Sequence, residues 1–222
     1  MEQHNWNSID ELFDRINESC NYLVMRNYEC MDSEEIFTKG HEDIDILCDD
    51  YKKMVKVTDA RPRSRVNNGV QYYILLKGQK LKIDLRHTGD GYYDPKWQEN
   101  IIKKRMFHEF GFYVMDEKDY FYSLIYHSVL QKNKLSEDYR IKLSGMAKKL
   151  GINADNEEQF IKALDDYMIK EGYYYTYPVD CTVPNRFFLI DKKRTRGYYT
   201  WWLRKLRHLP LRAIRFAAKF FK

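Results

Sequence analysis

Lys39-Gly40-His41-Glu42-Asp43-Ile44-Asp45-Ile46-Leu47 is the stretch on which the fold turns. From Asp43 to Cys48 the residues alternate, with Ile44 and Ile46 on one face and Asp43 and Asp45 on the other, the period of a strand that buries one side. Two Asp two residues apart on a strand project from the same face. Carboxylates held side by side repel and raise each other's pKa unless a cation sits between them. A hard cation such as Mg²⁺ takes oxygen ligands, usually one or two carboxylates with phosphate oxygens. A strand-borne Asp-x-Asp behind a glycine-containing loop therefore suits a metal that bridges a nucleotide's phosphates.

Working outward, Lys80 to Arg86 alternates in the same way, with Leu81, Ile83 and Leu85 inward and Lys82, Asp84 and Arg86 outward. Asp84 is the candidate third carboxylate. Three acids clamping two metals could stabilise the attacking and leaving oxygens of a displacement at phosphorus. Val70 to Leu76 predicts a strand that Gly78-Gln79 turns into a hairpin with the next, and Lys53 to Thr58 predicts another. Arg61 to Gly69 is a loop by composition. Upstream, Ile9 to Ser19 has helical spacing, with Ser8 or Asp10 as cap. Tyr22 to Met25 is a short buried strand, and Met31 to Glu42 an acidic loop or short helix.

After Asp94-Pro95 the pattern becomes helical, over Trp97 to Phe107, Lys118 to Lys132, Glu137 to Leu150 and Asn156 to Lys170. The expected architecture is α/β: a mixed-sheet catalytic core over residues 1–95, a helical part over 96–190 and a basic amphipathic tail over 191–222. There is no internal repeat.

Composition sets the outer limits. The 222 residues are 44% hydrophobic, 16% aromatic and 32% charged, which gives material for a sizeable core and excludes wholesale disorder. Ten Gly and five Pro exclude collagen-like and low-complexity sequence. No apolar run approaches the ~18 residues of a membrane span, and the polar stretch Met1 to Asp10 predicts no secretory signal. Cys20, Cys30, Cys48 and Cys181 lie far apart, which suits reduced cytoplasmic thiols better than disulfides or a zinc site.

The net charge of +5 hides an asymmetry. Residues 192–222 hold eleven Lys and Arg and no acid, so residues 1–191 carry 27 of the 38 basic residues against all 33 acidic ones, a net of −6. Within the tail, a helical winding of Tyr199 to Lys222 puts Arg204, Lys205, Arg207, Arg212, Arg215 and Lys219 on one side. Trp202, Leu203, Leu206, Leu209, Ile214 and Phe220 fall mostly on the other. Pro210 predicts a kink or a split into two helices. Such a helix suits the surface of an anionic membrane. A partner helix is the second choice, and the acidic body opposes nucleic acid.

Three other features bear on chemistry. Most apolar residues of Asp116 to Lys132 are core by spacing. His127 and Lys132 are the polar exceptions: either a general base or phosphate partners, or a histidine satisfied by a carbonyl and a solvated lysine. His87 to Asp94, with two glycines, reads equally as a cover for a ligand or as a plain connection. Tyr173 to Tyr177 reads as a packing seam more than a stacking platform.

The apolar strand, the Gly-x-x-Asp-x-Asp strand and the later apolar-Asp-apolar strand together resemble the nucleotidyltransferase-fold superfamily over roughly residues 20–130. More narrowly, Tyr22-Leu23-Val24-Met25-Arg26-Asn27, Asp43-Ile44-Asp45 and Tyr120-Phe121-Tyr122-Ser123-Leu124-Ile125-Tyr126-His127 are similar to uncharacterised or LicD-like transferases of bacterial surface-glycan clusters. The resemblance implies that Asp43, Asp45 and Asp84 are catalytic and hold the metal, Mg²⁺ or Mn²⁺. Arg26-Asn27 stands where the superfamily usually has Gly-Ser, and Arg is itself a bidentate phosphate partner. Arg26, Asn27, Gly40, His41, His127 and Lys132 form the nucleotide- and phosphate-binding set. What is implied is transfer of a phosphate-linked group from a nucleotide-activated donor to a surface glycan or its lipid-linked precursor, by a cytoplasmic protein peripheral on the inner face of the membrane. The alternatives are nucleotidyl transfer to protein or RNA by a toxin-like enzyme, and a non-enzymatic membrane-surface adaptor.

Overall fold

A computed structural model of the chain describes residues 2–26, 28, 31, 43–64 and 69–217, with side chains in the last helix as far as Arg207. Asn27, Gly40, His41 and Cys30, the acidic stretch before Asp43 and the side chains of the tail beyond Arg207 lie outside the described residues. The fold is mixed α/β, built on a sheet of eight strands among the described residues.

The sheet follows from the alternating segments. Strand β3 (Asp43–Cys48) is central. It pairs antiparallel with β2 (Tyr22–Val24) and parallel with β6 (Gln79–His87). Beyond β6 lies β5 (Gln71–Leu76), antiparallel, and then the short edge strands β1 (Asn5–Trp6) and β4 (Arg61–Pro62). Beyond β2 lie β8 (Tyr113–Val114) and β7 (Met106–Phe107). The last two come from after residue 95, so the sheet draws on chain beyond the expected boundary, and Arg61–Pro62 is strand where a loop was expected.

Period-2 alternation gives the sheet two apolar faces with different neighbours. Ile44, Ile46, Leu81, Ile83 and Leu85 pack with Ile9, Leu12, Phe13 and Ile16 of helix α1 (Ile9–Asn17) and with Met54 of helix α2 (Tyr51–Thr58). On the other face Leu23, Met25 and Leu47 join a second core. It is built from α3 (Pro95–Lys104), α4 (Glu117–Ile125), α5 (Glu137–Lys149) and α6 (Glu157–Glu171). Burying these apolar residues supplies the main drive to fold. Asp43, Asp45 and Asp84 share the second face with Leu47, so they look toward the helices rather than into open solvent.

Several elements differ from the sequence expectation, each for a local reason. Lys53 to Thr58 is part of helix α2, not a strand. The Asp50 side chain accepts from the Lys53 amide at 3.0 Å, Met54 and Thr58 bury a face at i, i+4 spacing, and Asp59 ends the helix at φ 47°. Capping and burial outweigh the β preference of Val55 and Val57. Helix α1 uses Ser8 as its cap. Helix α3 stops at Lys104, because Met106 and Phe107 pair with β8. Helix α4 widens into a π-helical turn, Tyr126–Leu130. The last helix, α7 (Tyr198–Ala217), runs unsplit through Pro210. A proline removes one helical hydrogen bond, and those on either side persist. Among the described residues no helix is long and apolar enough to cross a membrane. Cys20, Cys48 and Cys181 are buried and form no disulfide among the described residues.

The β5–β6 hairpin turns at Lys77-Gly78, one residue earlier than expected, with φ of 51° and 77°. Two consecutive positive φ values match the twist of a tight hairpin, and Asn-Gly is the pair that adopts them most readily. Lys77 is exposed and held there against its own preference. Lys77→Asn should therefore stabilise the protein by about 0.5–1 kcal/mol, read as a raised urea midpoint with an unchanged m-value.

Candidate active site

Register brings the acids together. In the parallel ladder Asp45 lies directly opposite Asp84, and Asp43 opposite Lys82. Paired residues on adjacent strands stand ~5 Å apart and point to the same face. The antiparallel β2 contributes the next group. The Met25 amide donates to the Asp45 carbonyl at 2.8 Å, and Arg26 follows immediately beyond the strand. Its Nε meets Asp45 Oδ2 at 2.9 Å, with Arg26 only 6% exposed. Burial works against the guanidinium charge, and Asp45 more than compensates, holding Arg26 firmly protonated.

From Arg26 a chain of contacts crosses to the helices. Arg26 Nη2 donates to the Tyr92 hydroxyl at 2.9 Å, and that hydroxyl lies 3.1 Å from His127 Nδ1. Since the hydroxyl accepts from Arg26, its own proton points to Nδ1, which makes Nδ1 the acceptor and leaves the proton on Nε2. Burial, then Arg26 and Lys132, press the His127 pKa well below its usual value. His127 is therefore a neutral hydrogen-bond donor through Nε2. That suits a phosphate partner and not a general base. It sits in the π-helical turn, a local widening that recurs at functional sites.

A cleft of about 380 Å³ collects these groups. Its walls include Arg26, Asp43, Asp45, Asp84, His127 and Lys132. Six candidate residues from four segments of the chain thus share one cavity. A larger groove of about 820 Å³ lies over α1 and α2 and contains none of them. The cleft also has members that the sequence reading did not single out. Arg86 is buried, pairs with Asp180 at 3.7 Å and lies 4.1 Å from the centre of the Tyr92 ring. It stands two residues beyond Asp84 on the same strand, so alternation alone puts it on the site face. Tyr92 belongs to the loop read as a cover or a connection, and it is a wall of the cleft. Gln131 and Tyr139 line it too, with no sequence signal to find them. The Tyr173–Tyr177 cluster is a packing seam, in which Tyr173 stacks on Trp97 at 5.8 Å.

The loop carrying Tyr92 is tightly built. Its amide donates to Asp90 Oδ1 at 2.8 Å, and Gln98 Nε2 donates to the same oxygen at 2.8 Å. Gly91 has φ 72°, and a Cβ there would lie 2.7 Å from the Tyr177 carbonyl. Only glycine fits both the dihedral and the space.

Asp84 is the anomalous acid. Its side chain is 19% exposed, and Oδ1 finds no hydrogen-bond partner among the described residues. Arg63 Nη1 comes to 3.6 Å, too far for a hydrogen bond. Burial, then the neighbouring Asp45 charge, with a smaller push from Asp43, lift its pKa from 3.8 to about 6, against Arg86 and Arg63. An orphaned, buried carboxylate oxygen beside a second carboxylate is a fit for a divalent cation. Among the described residues no group of three or more Asp, Glu, His or Cys side chains could hold a metal ion, so Asp43, Asp45 and Asp84 do not form the three-carboxylate set expected from the sequence. Mg²⁺ does not need such a set, since it usually takes one or two carboxylates and completes its shell with water and phosphate. Asp45 and Asp84 would be the ligands, with Asp43 at the rim.

No family model matches the chain, and no curated protein does. A solved structure, described as an antigenic nucleotidyltransferase-like protein from Paracoccidioides brasiliensis, is similar at 14% identity and a TM-score of 0.44, covering 75% of this chain and 91% of that one.

The raised pKa of Asp84 has a stability consequence. The folded state holds this proton more tightly than the unfolded chain, so stability falls as pH rises from about 4 to about 6 and stays reduced above it. Asp84→Asn removes the buried charge. It should raise Tm at pH 7, by an amount equivalent to on the order of 1–3 kcal/mol, and leave it nearly unchanged at pH 4. Equal shifts at both values would show that the charge is not the cause.

Proposed function

We propose that the protein is a divalent-metal-dependent transferase of nucleotidyltransferase fold that moves a phosphate-linked group from a nucleotide-activated donor to an acceptor hydroxyl. The observation that carries this is the direct pairing of Asp45 with Asp84 in a cleft that also presents Arg26, His127 and Lys132. Carboxylates and phosphate-binding cations belong together when the ligand is a phosphate accompanied by a metal. When bound, Mg²⁺ or Mn²⁺ supplies charge stabilisation at the phosphate oxygens.

The chain's own groups then divide the work. Asp45 and Asp84 would supply the oxygen ligands, with Asp43 at the rim. Arg26 and Lys132 lower the charge on the donor's phosphates, and His127 Nε2–H donates to a phosphate oxygen. Asp84 has two alternative roles: it binds the metal, or it takes the proton of the acceptor hydroxyl. The new bond joins the hydroxyl oxygen to phosphorus, the phosphoanhydride bond breaks, and the nucleotide leaves with its electron pair. Tyr92 fixes the orientation of both Arg26 and His127. The similarity of Tyr22–Asn27 and Tyr120–His127 to glycan-cluster transferases supports a surface glycan or its lipid-linked precursor as acceptor, reached from the cytoplasmic face of the membrane.

Calorimetry with Mg²⁺ and a panel of nucleoside triphosphates and nucleotide-activated sugars and alditols tests the site. Binding should require the cation, and Asp45→Asn/Asp84→Asn should abolish it while the circular dichroism spectrum stays native. Turnover of the bound donor in the double variant should fall on the order of 10³-fold or more. Undiminished nucleotide binding or turnover in that variant would overturn the proposal. A nucleotide adduct on protein or RNA, found by mass spectrometry, would move the acceptor away from glycans.

A further inference from the structure

The cleft leaves helix α7 without a role, and the way this helix joins the body is informative. Trp201 is its buried residue, 7% exposed, packed against Tyr177 with ring centres 5.2 Å apart. Lys205 Nζ lies 4.5 Å from the same indole, one turn on. Tyr199, Trp202, Leu203 and Leu206 follow the spacing i, i+3, i+4, i+7, which makes one stripe along a helix. The stripe lies well round the helix from Trp201, and its four members are 37–71% exposed. The helix is therefore seated through Trp201, with Tyr198 also against Tyr177 at 5.3 Å, and the Tyr199–Leu206 stripe faces outward. In a helix that serves the core of its own chain the reverse holds. In sequence, apolar residues continue at the same spacing through Leu209, Ala213, Ile214 and Ala217, and the backbone is helical to Ala217.

We propose that α7 binds the surface of an anionic phospholipid bilayer, with the Tyr199–Leu206 stripe inserted at the headgroup boundary. Charge selects this occupant. Eleven basic residues and no acid lie between 192 and 222. Two copies of such a helix repel one another, which disfavours pairing through α7. Aromatic and aliphatic side chains on one face with Arg and Lys on the flanks are what an anionic lipid interface accepts. The acidic remainder of the chain is repelled by the same surface, so contact is confined to the helix. The seat of α7 also adjoins the cleft: the Tyr177 carbonyl abuts Gly91, and the next residue, Tyr92, orients Arg26 and His127. A membrane-held α7 thus keeps one wall of the cleft within a few residues of the lipid surface.

Sedimentation of the full chain with vesicles tests this without any reference to catalysis. The protein should pellet with phosphatidylglycerol-rich vesicles, remain in solution with pure phosphatidylcholine, and be released as salt rises from about 0.1 M to about 1 M. Trp6, Trp97 and Trp201 are buried and Trp202 is exposed, so a blue shift of the emission on binding reports on the stripe. Leu203→Glu/Leu206→Glu should weaken vesicle binding by about tenfold or more with unchanged Tm. As a second variant, Arg204→Gln/Arg207→Gln should lessen the preference for anionic lipid. No pelleting of the wild type, equal pelleting with both lipids, or wild-type binding by the glutamate variant would overturn the proposal. So would RNA binding that outcompetes the vesicles.

Discussion

The parallel ladder of β3 and β6 forces two carboxylates, Asp45 and Asp84, to stand side by side where little water reaches them. Much of the cleft is a response to that constraint. A buried carboxylate must find a cation, accept a proton or lose free energy. Asp45 finds Arg26 at 2.9 Å. Among the described residues no cation hydrogen-bonds Asp84, whose pKa rises to about 6. The two neighbours thus meet the same electrostatic problem differently, one through an ion pair with Arg26 and the other through a raised pKa. A carboxylate raised by burial beside a second carboxylate is common at sites that do chemistry.

The cost is carried by the opposite side of the same strands. Ile44 and Ile46 of β3 and Ile83 and Leu85 of β6 are buried in the core under α1 and α2. A slip of one residue in the β3–β6 register would turn these side chains out and the aspartates in. The core therefore fixes the relative position of Asp45 and Asp84. The other wall is held as firmly. Tyr92 is wedged by Asp90, Gln98 and the Gly91–Tyr177 contact, and it fixes Arg26 and His127 at once. Support of this kind places polar groups more accurately than a loop could alone.

Strand-borne parts of the site were legible in the sequence because a period of two fixes side-chain direction without knowledge of partners. Asp43, Asp45 and Asp84 were placed on one polar face by alternation, and the same rule applied one step further reaches Arg86. What could not be read was the register between β3 and β6, which depends on a crossover of 30 residues with its own hairpin. Lys53 to Thr58 misled because Val55 and Val57 favour strands in isolation, while the deciding group was the side chain of Asp50, outside the segment. The tautomer of His127 was beyond reach, since it follows from a hydroxyl 35 positions away in sequence. Gln131 and Tyr139 enter the cleft only through the packing of α4 and α5.

The charge pattern of the cleft narrows its ligand more than any single residue does. A pocket for phosphate alone needs Arg and Lys, and acids in it would repel the ligand. A pocket for a metal alone needs carboxylates, and Arg26 and Lys132 would repel the ion. Both signs line this one cavity of about 380 Å³, separated by position: carboxylates on the sheet, and Arg26, His127 and Lys132 around them at the strand end and the helical wall. On the proposed function, a phosphate carrying its own metal ion would satisfy both sets without leaving a buried charge unpaired.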